Sequence, residues 1–188
     1  MRPCLAILIL LMMSGHIYGQ KKSAKQPQPA KNNTISSIKY NGDSISINQM
    51  VIVKNKNLQA FVTDLKKVKL APSSSLNYIP WFVKSFLESF GNTNFTMAKP
   101  DQDWNCCCVQ NDQLPNRQLI CQGKGQNLYF ISYLTGGFGV TVHLVLIRYN
   151  NETITDFWTG TINRQLNNQN AIIEYLQNSK NVHYSLSI

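Results

Sequence analysis

What this sequence lacks narrows it first. It has no Gly-x-Ser-x-Gly elbow, no His-Glu-x-x-His pair and no Cys-x-x-Cys spacing. The common serine-hydrolase, zinc-protease and thioredoxin-like signatures are therefore missing. Charged residues make up only 14% of the chain, with 9 acidic side chains and 3 histidines. No convincing carboxylate pair stands out for general acid–base work. No apolar run reaches the roughly 20 residues that a bilayer-spanning helix needs, so no transmembrane anchor is expected. No internal repeat is present.

What is there begins with a leader. Met1, Arg2 and Pro3 precede the apolar run Leu5 to Met13, and Ser14-Gly15-His16-Ile17-Tyr18-Gly19 follows. A short basic start, an apolar core and a small-residue exit describe a secretory signal peptide, with cleavage after Gly19. Cys4 precedes the apolar run, so its position does not suit a lipoprotein attachment site. The expected destination is secreted or periplasmic, an oxidising compartment.

The formal charge of +9 is unevenly spread. Lys21, Lys22, Lys25 and Lys31 crowd the polar stretch from Gln20 to about Ser37, where the first residues hold no apolar side chain larger than Ala. Such a segment cannot bury enough surface to offset its ordering entropy, so residues 20–37 read as a disordered basic linker. From Ile38 onward 13 basic side chains face all 9 acidic ones. That modest excess does not describe an extended phosphate-binding face, and a nucleic-acid partner is not expected.

Residues 38–188 read as one α+β domain. Ile38-Lys39-Tyr40 and Ser44 to Ile47 flank Asn41-Gly42-Asp43, which predicts a small hairpin. Leu58, Phe61, Val62, Leu65 and Val68 recur at helical spacing. Ile79, Phe82, Val83, Phe86, Leu87 and Phe90 form a broader stripe, with Pro80 at its start and Gly91 at its stop. Strands are predicted at Phe95–Ala98, Trp104–Val109, Gln118–Gln122, Leu128–Leu134, Val140–Tyr149 and Thr153–Thr161. Short turns join them, so neighbours pair antiparallel. Val140 to Tyr149 is apolar on both faces, which suits a covered central strand. A last helix spans about Asn168–Ser179 and buries Ile172, Ile173 and Leu176, and Val182 to Ile188 forms an edge. The fold expected is an antiparallel β-meander sheet packed against two or three helices, curved around the aromatic helix.

Four cysteines follow the leader: Cys106-Cys107-Cys108 and Cys121. In an extended segment Cys106 and Cys108 share one face and Cys107 takes the other. A hairpin through Leu114-Pro115-Asn116 would bring Cys121 opposite Cys108. Cys108–Cys121 is therefore the expected disulfide, worth roughly 3 kcal/mol in the chain-entropy description. Cys106 and Cys107 remain as further disulfide candidates or free thiols. Three consecutive cysteines on a strand converge poorly on one ion, so no metal site is predicted. No cofactor is predicted either.

Thr135-Gly136-Gly137-Phe138-Gly139 resembles a phosphate loop in composition, but it joins two strands and no helix N-terminus with a lysine follows. It reads as a wide hairpin turn at the rim of a binding mouth. With Trp158 it forms the candidate ligand-binding set. The leading expectation is a non-enzymatic secreted or periplasmic domain that binds a small ligand or protein partner through the open end of the sheet. The alternative is a small extracytoplasmic enzyme, thiol-redox or hydrolytic, using Cys106 to Cys108 with His143 as base and Asp156 as orienter. No residue is assigned a catalytic role with the first reading.

Overall fold

The computed structural model describes residues 35–40, 43–107, 111–178, 183–184, 186 and 188, with side chains from residue 51 onward. The leader and most of the linker lie outside those residues. Strands β1 (Ile35–Tyr40) and β2 (Asp43–Asn48) pair antiparallel, with Tyr40 opposite Asp43. That is the predicted hairpin, though it starts at Ile35 rather than Ile38, and its Asn41-Gly42 turn lies outside the described residues. Helices α1 (Gln49–Val53) and α2 (Leu58–Lys67) follow, then strand β3 (Ala71–Ser73), a single 3₁₀ turn (Leu76–Tyr78) and helix α3 (Trp81–Gly91). Strands β4 (Arg117–Lys124), β5 (Leu128–Thr135), β6 (Thr141–Asn150) and β7 (Thr153–Ile162) lead to helix α4 (Gln169–Asn178) and strand β8 (His183–Tyr184).

The α+β expectation holds. Strands β3 to β8 form one antiparallel sheet in simple sequence order. Short turns dictate the β4 to β7 part of this meander, because a tight connection reverses the chain beside itself, while α3 and α4 lie in the longer connections to β3 and β8. β5 and β6 are its central strands, and Leu128 to Leu134 are buried without interruption. A strand covered on both faces has no polar face to present, which explains why Ser132 is the one small polar residue in its run.

The aromatic helix is not the sheet's sole partner; helices cover both of its faces. On one face Phe86 meets Phe157 at 5.0 Å and Phe82 meets Tyr149 at 4.9 Å between ring centroids, seating α3. On the other, Arg148 reaches Asp64 of α2 at 2.8 Å and lies 4.1 Å over the Phe61 ring. Helix α4 joins α2 through Gln169, whose Nε2 donates to the carbonyls of Leu65 (2.7 Å) and Val68 (2.6 Å). Asn168 caps α4, its Oδ1 accepting from the Ala171 N–H at 2.9 Å. Ile172 and Leu176 are buried as expected, while Ile173 is only half-buried and Tyr175 takes its place in the core. Gly91 still belongs to α3; the left-handed residue that ends it is Asn92, at φ 49°.

Two predicted strands are absent. Phe95–Ala98 contributes only an isolated parallel bridge from Ala98 to Gln118. The described part of Trp104–Val109 is loop. A β-bulge also intervenes in β4: Leu119 faces Tyr133, but Cys121 faces Ser132, with Ile120 as the extra residue. The slip of one residue sends Leu119 and Cys121 to opposite faces of the sheet.

Candidate functional site

The loop before β4 is organised by one side chain. Asn105 is buried, and its Nδ2 donates to the carbonyls of Asn111 and Leu114 and to Asn116 Oδ1, each at 2.9 Å. Its Oδ1 accepts the Asn111 N–H at 2.9 Å, and its own N–H donates to the Pro115 carbonyl at 2.9 Å. These bonds do locally what a strand ladder would have done, so the segment need not pair. They also fix the base from which the next two residues project.

Gly136 lies directly against that base. Its N–H donates to the Asn116 carbonyl at 3.0 Å, and a β-carbon on it would overlap the Asn105 carbonyl. The Thr135–Gly139 turn and the cysteine loop are thus packed together at one end of the sheet. Gly137 has φ 151° and Gly139 faces open space. Phe138 is fully exposed and Val140 half exposed. Beside them an open groove of about 600 Å³ is lined by Val140, Thr141, Val142, Thr161, Asn163 and His183.

Trp158 does not join this set. It pairs with Leu146 in mid-strand, is fully buried, and donates its indole N–H to Asn55 Oδ1 at 2.9 Å. A buried indole needs one acceptor, and the loop between α1 and α2 supplies it. The predicted ligand set therefore divides into an exposed turn and a core tryptophan.

The cysteines divide as well. Cys106, Cys107 and Cys121 are free thiols, and Cys108 lies outside the described residues. Cys121 is not disulfide-bonded to Cys108: its Sγ donates instead to the Leu166 carbonyl at 3.0 Å. The β-bulge turns Cys121 to the face of Ser132, and the described residues ahead of β4 form a loop held by Asn105, not a strand. Burial pushes the Cys121 thiol up to about 12. It borders a smaller cavity, about 220 Å³, with Leu70, Phe130 and Gln169 among its walls. Cys106 and Cys107 are exposed, and the Cys107 side chain, by hydrogen bonding and then by its charge, raises the Cys106 thiol.

The Cys–His–Asp constellation is not assembled. His143 is buried and stacks on Tyr133, centroids 5.2 Å apart, in a cross-strand pair. Asp156 occupies the opposite face of the sheet, one register position away from the Phe157 and Thr161 set that shares the His143 side. Its carboxylate is held by Arg148 at 2.7 Å and by Asn57 at 2.8 Å. Burial raises the Tyr133 hydroxyl, against an opposing effect of Arg117. Sequence reasoning missed Asn105, Val140 and His183. An Asn in a predicted strand was the available signal for the first, since Asn is depleted from strands. Among the described residues no group of three or more His, Cys, Asp or Glu side chains is placed to hold a metal ion. Comparisons with protein-family models, curated proteins and solved structures find no match, so the site is read from its own chemistry.

Proposed function

We propose that this chain is an exported, non-enzymatic binding domain that docks a protein partner through the turn Thr135 to Gly139, with Phe138 as the anchor. Export rests on the leader pattern of Met1 to Gly19. The observation that carries the docking role is the full exposure of Phe138 on a turn whose neighbour Gly136 is packed against Asn105. Phe138 is the most exposed large hydrophobic side chain among the described residues, and aromatic anchors dominate interface energetics. A projecting ring enters a partner's pocket; it does not enclose a small molecule. Half-exposed Val140 extends the apolar contact, and the adjoining groove adds polar partners from Thr141, Thr161, Asn163 and His183.

The enzymatic reading has less support. Its base, His143, is buried against Tyr133, while the thiols it would activate are exposed. The test is site-specific photo-cross-linking in the exported protein, with the reactive residue placed at position 138 or, as a control, at the exposed Trp81. A discrete protein adduct from position 138 and none from position 81 is the expected result. No adduct at 138, or the same adduct from both positions, contradicts the docking role.

A further inference from the structure

The turn between β6 and β7 carries a motif that the docking role does not use. Asn151-Glu152-Thr153 has the form Asn-x-Thr with a residue other than proline in the middle, the pattern that an oligosaccharyltransferase reads in an exported chain. A glycan is bulky, so the acceptor must stand on the surface. Asn150 pairs with Thr153 at the end of the ladder, which leaves Asn151 and Glu152 as the two residues of the hairpin turn. Both have positive φ, 45° and 66°, as a two-residue turn of this hand requires. Asn150, Asn151, Glu152 and Thr153 are all exposed. The Asn151 side-chain amide makes no hydrogen bond among the described residues, whereas those of Asn57 and Asn105 are committed to partners.

The sequence Asn94-Phe95-Thr96 has the same form but a different setting. Phe95 is buried, 5.5 Å from the Tyr133 ring between centroids, and Arg117 donates to the Asn94 carbonyl at 3.3 Å. That segment is bound into the core, while the Asn151 turn stands clear of it. We propose that Asn151 is the acceptor of an asparagine-linked glycan. Transfer forms a bond from Asn151 Nδ2 to C1 of the first sugar and breaks the C1–O bond to a lipid-linked pyrophosphate donor. The pyrophosphate leaves with the electron pair, the amide gives up one proton, and nothing is oxidised or reduced. The ten residues of β6 separate this turn from Thr141, which pairs with Thr135 at the docking turn, by roughly 30 Å at the strand rise. The glycan therefore covers the end of the sheet away from Phe138. The inference rests on the export reading and not on the docking role.

The full chain with its own leader, produced by cultured eukaryotic cells, tests this. Protein recovered from the medium is deglycosylated by a glycan-releasing amidase in heavy-oxygen water, which turns a glycosylated asparagine into a labelled aspartate, and is mapped by peptide mass spectrometry. Position 151 should carry the label, and only when the amidase is added. Thr153→Ala should abolish the label, with a thermal melt confirming that the variant is folded. Secreted protein without the label at position 151, or a label that survives in Thr153→Ala, overturns the proposal and leaves export standing. A chain retained in the cells with its leader uncleaved overturns the export reading, and the proposal with it.

Discussion

Gly136 and Asn105 are in backbone contact: the α-carbon of the first lies where any side chain would strike the carbonyl of the second. This contact joins the exposed turn to the cysteine loop. Gly136→Ala should cost on the order of 3 kcal/mol, because the clash is with backbone that must shift. Gly139→Ala, which meets nothing within 4 Å, should stay within about 0.5 kcal/mol of the wild type. Urea unfolding of the two variants gives the comparison. Equal stability would show that the turn and loop are not packed as described.

Asn105 should be the most sensitive polar residue of the loop. Asn105→Ala removes one side chain and strands the Asn111 N–H and three acceptors that it satisfied. A loss of about 2–4 kcal/mol is expected, since buried polar groups left without partners bear the full desolvation penalty. Hydrogen exchange should accelerate at Asn111 and at the backbone amide of position 105 before it changes in β5. Unchanged protection of the Asn111 amide would refute the hub role.

The parts of the fold that were legible in the sequence are those set by periodicity and short turns. Leu58, Phe61, Val62 and Leu65 repeat at helical spacing and are buried together in α2. Leu128 to Leu134 is apolar but for the buried Ser132, because both faces of β5 are covered. The cysteine segment was not legible in this way. Trp104 to Val109 has strand-like composition, but Asn105 offers its backbone a closer set of partners than a neighbouring strand. Nor does spacing reveal the bulge at Ile120, and that single extra residue decides which way Cys121 faces. Phe138 was legible as part of the turn, while Trp158 was misplaced because alternation within β7 does not say which side holds the turn groove.

Cys121 should resist alkylation in the folded chain while Cys106 and Cys107 react, as mapped by peptide mass spectrometry under non-denaturing conditions. Its raised thiol also sets a pH dependence. Relative to the ordinary value of 9.0, the folded protein holds this proton up to about 12. The folded state then binds more protons than the unfolded state above pH 9, so stability falls as pH rises through that window, by at most about 1.4 kcal/mol per pH unit. Below pH 9 the effect is absent. Cys121→Ala should remove this part of the alkaline loss, and an unaltered alkaline limb in that variant would contradict the assignment.

Arg148 ties α2 to the sheet through Asp64 and Asp156 while stacking on Phe61. Its guanidinium is mostly covered, so Arg148→Ala should cost about 2 kcal/mol, counting lost packing and two carboxylates left without their shared cation. Arg148→Lys should recover little of it, because an ammonium cannot reach both carboxylates while lying flat on a ring. Denaturant titration distinguishes the two. Full rescue by lysine would mean that charge alone is what the position requires.

The docking role of Phe138 is tested most directly by the affinity of the cross-linked partner for three forms of the full chain: wild type, Phe138→Ser and Trp81→Ser. Equilibrium binding should weaken at least about tenfold in Phe138→Ser, a loss near 1.4 kcal/mol, with the melting temperature unchanged. Trp81→Ser should bind as the wild type does. Equal affinity of wild type and Phe138→Ser would contradict the account.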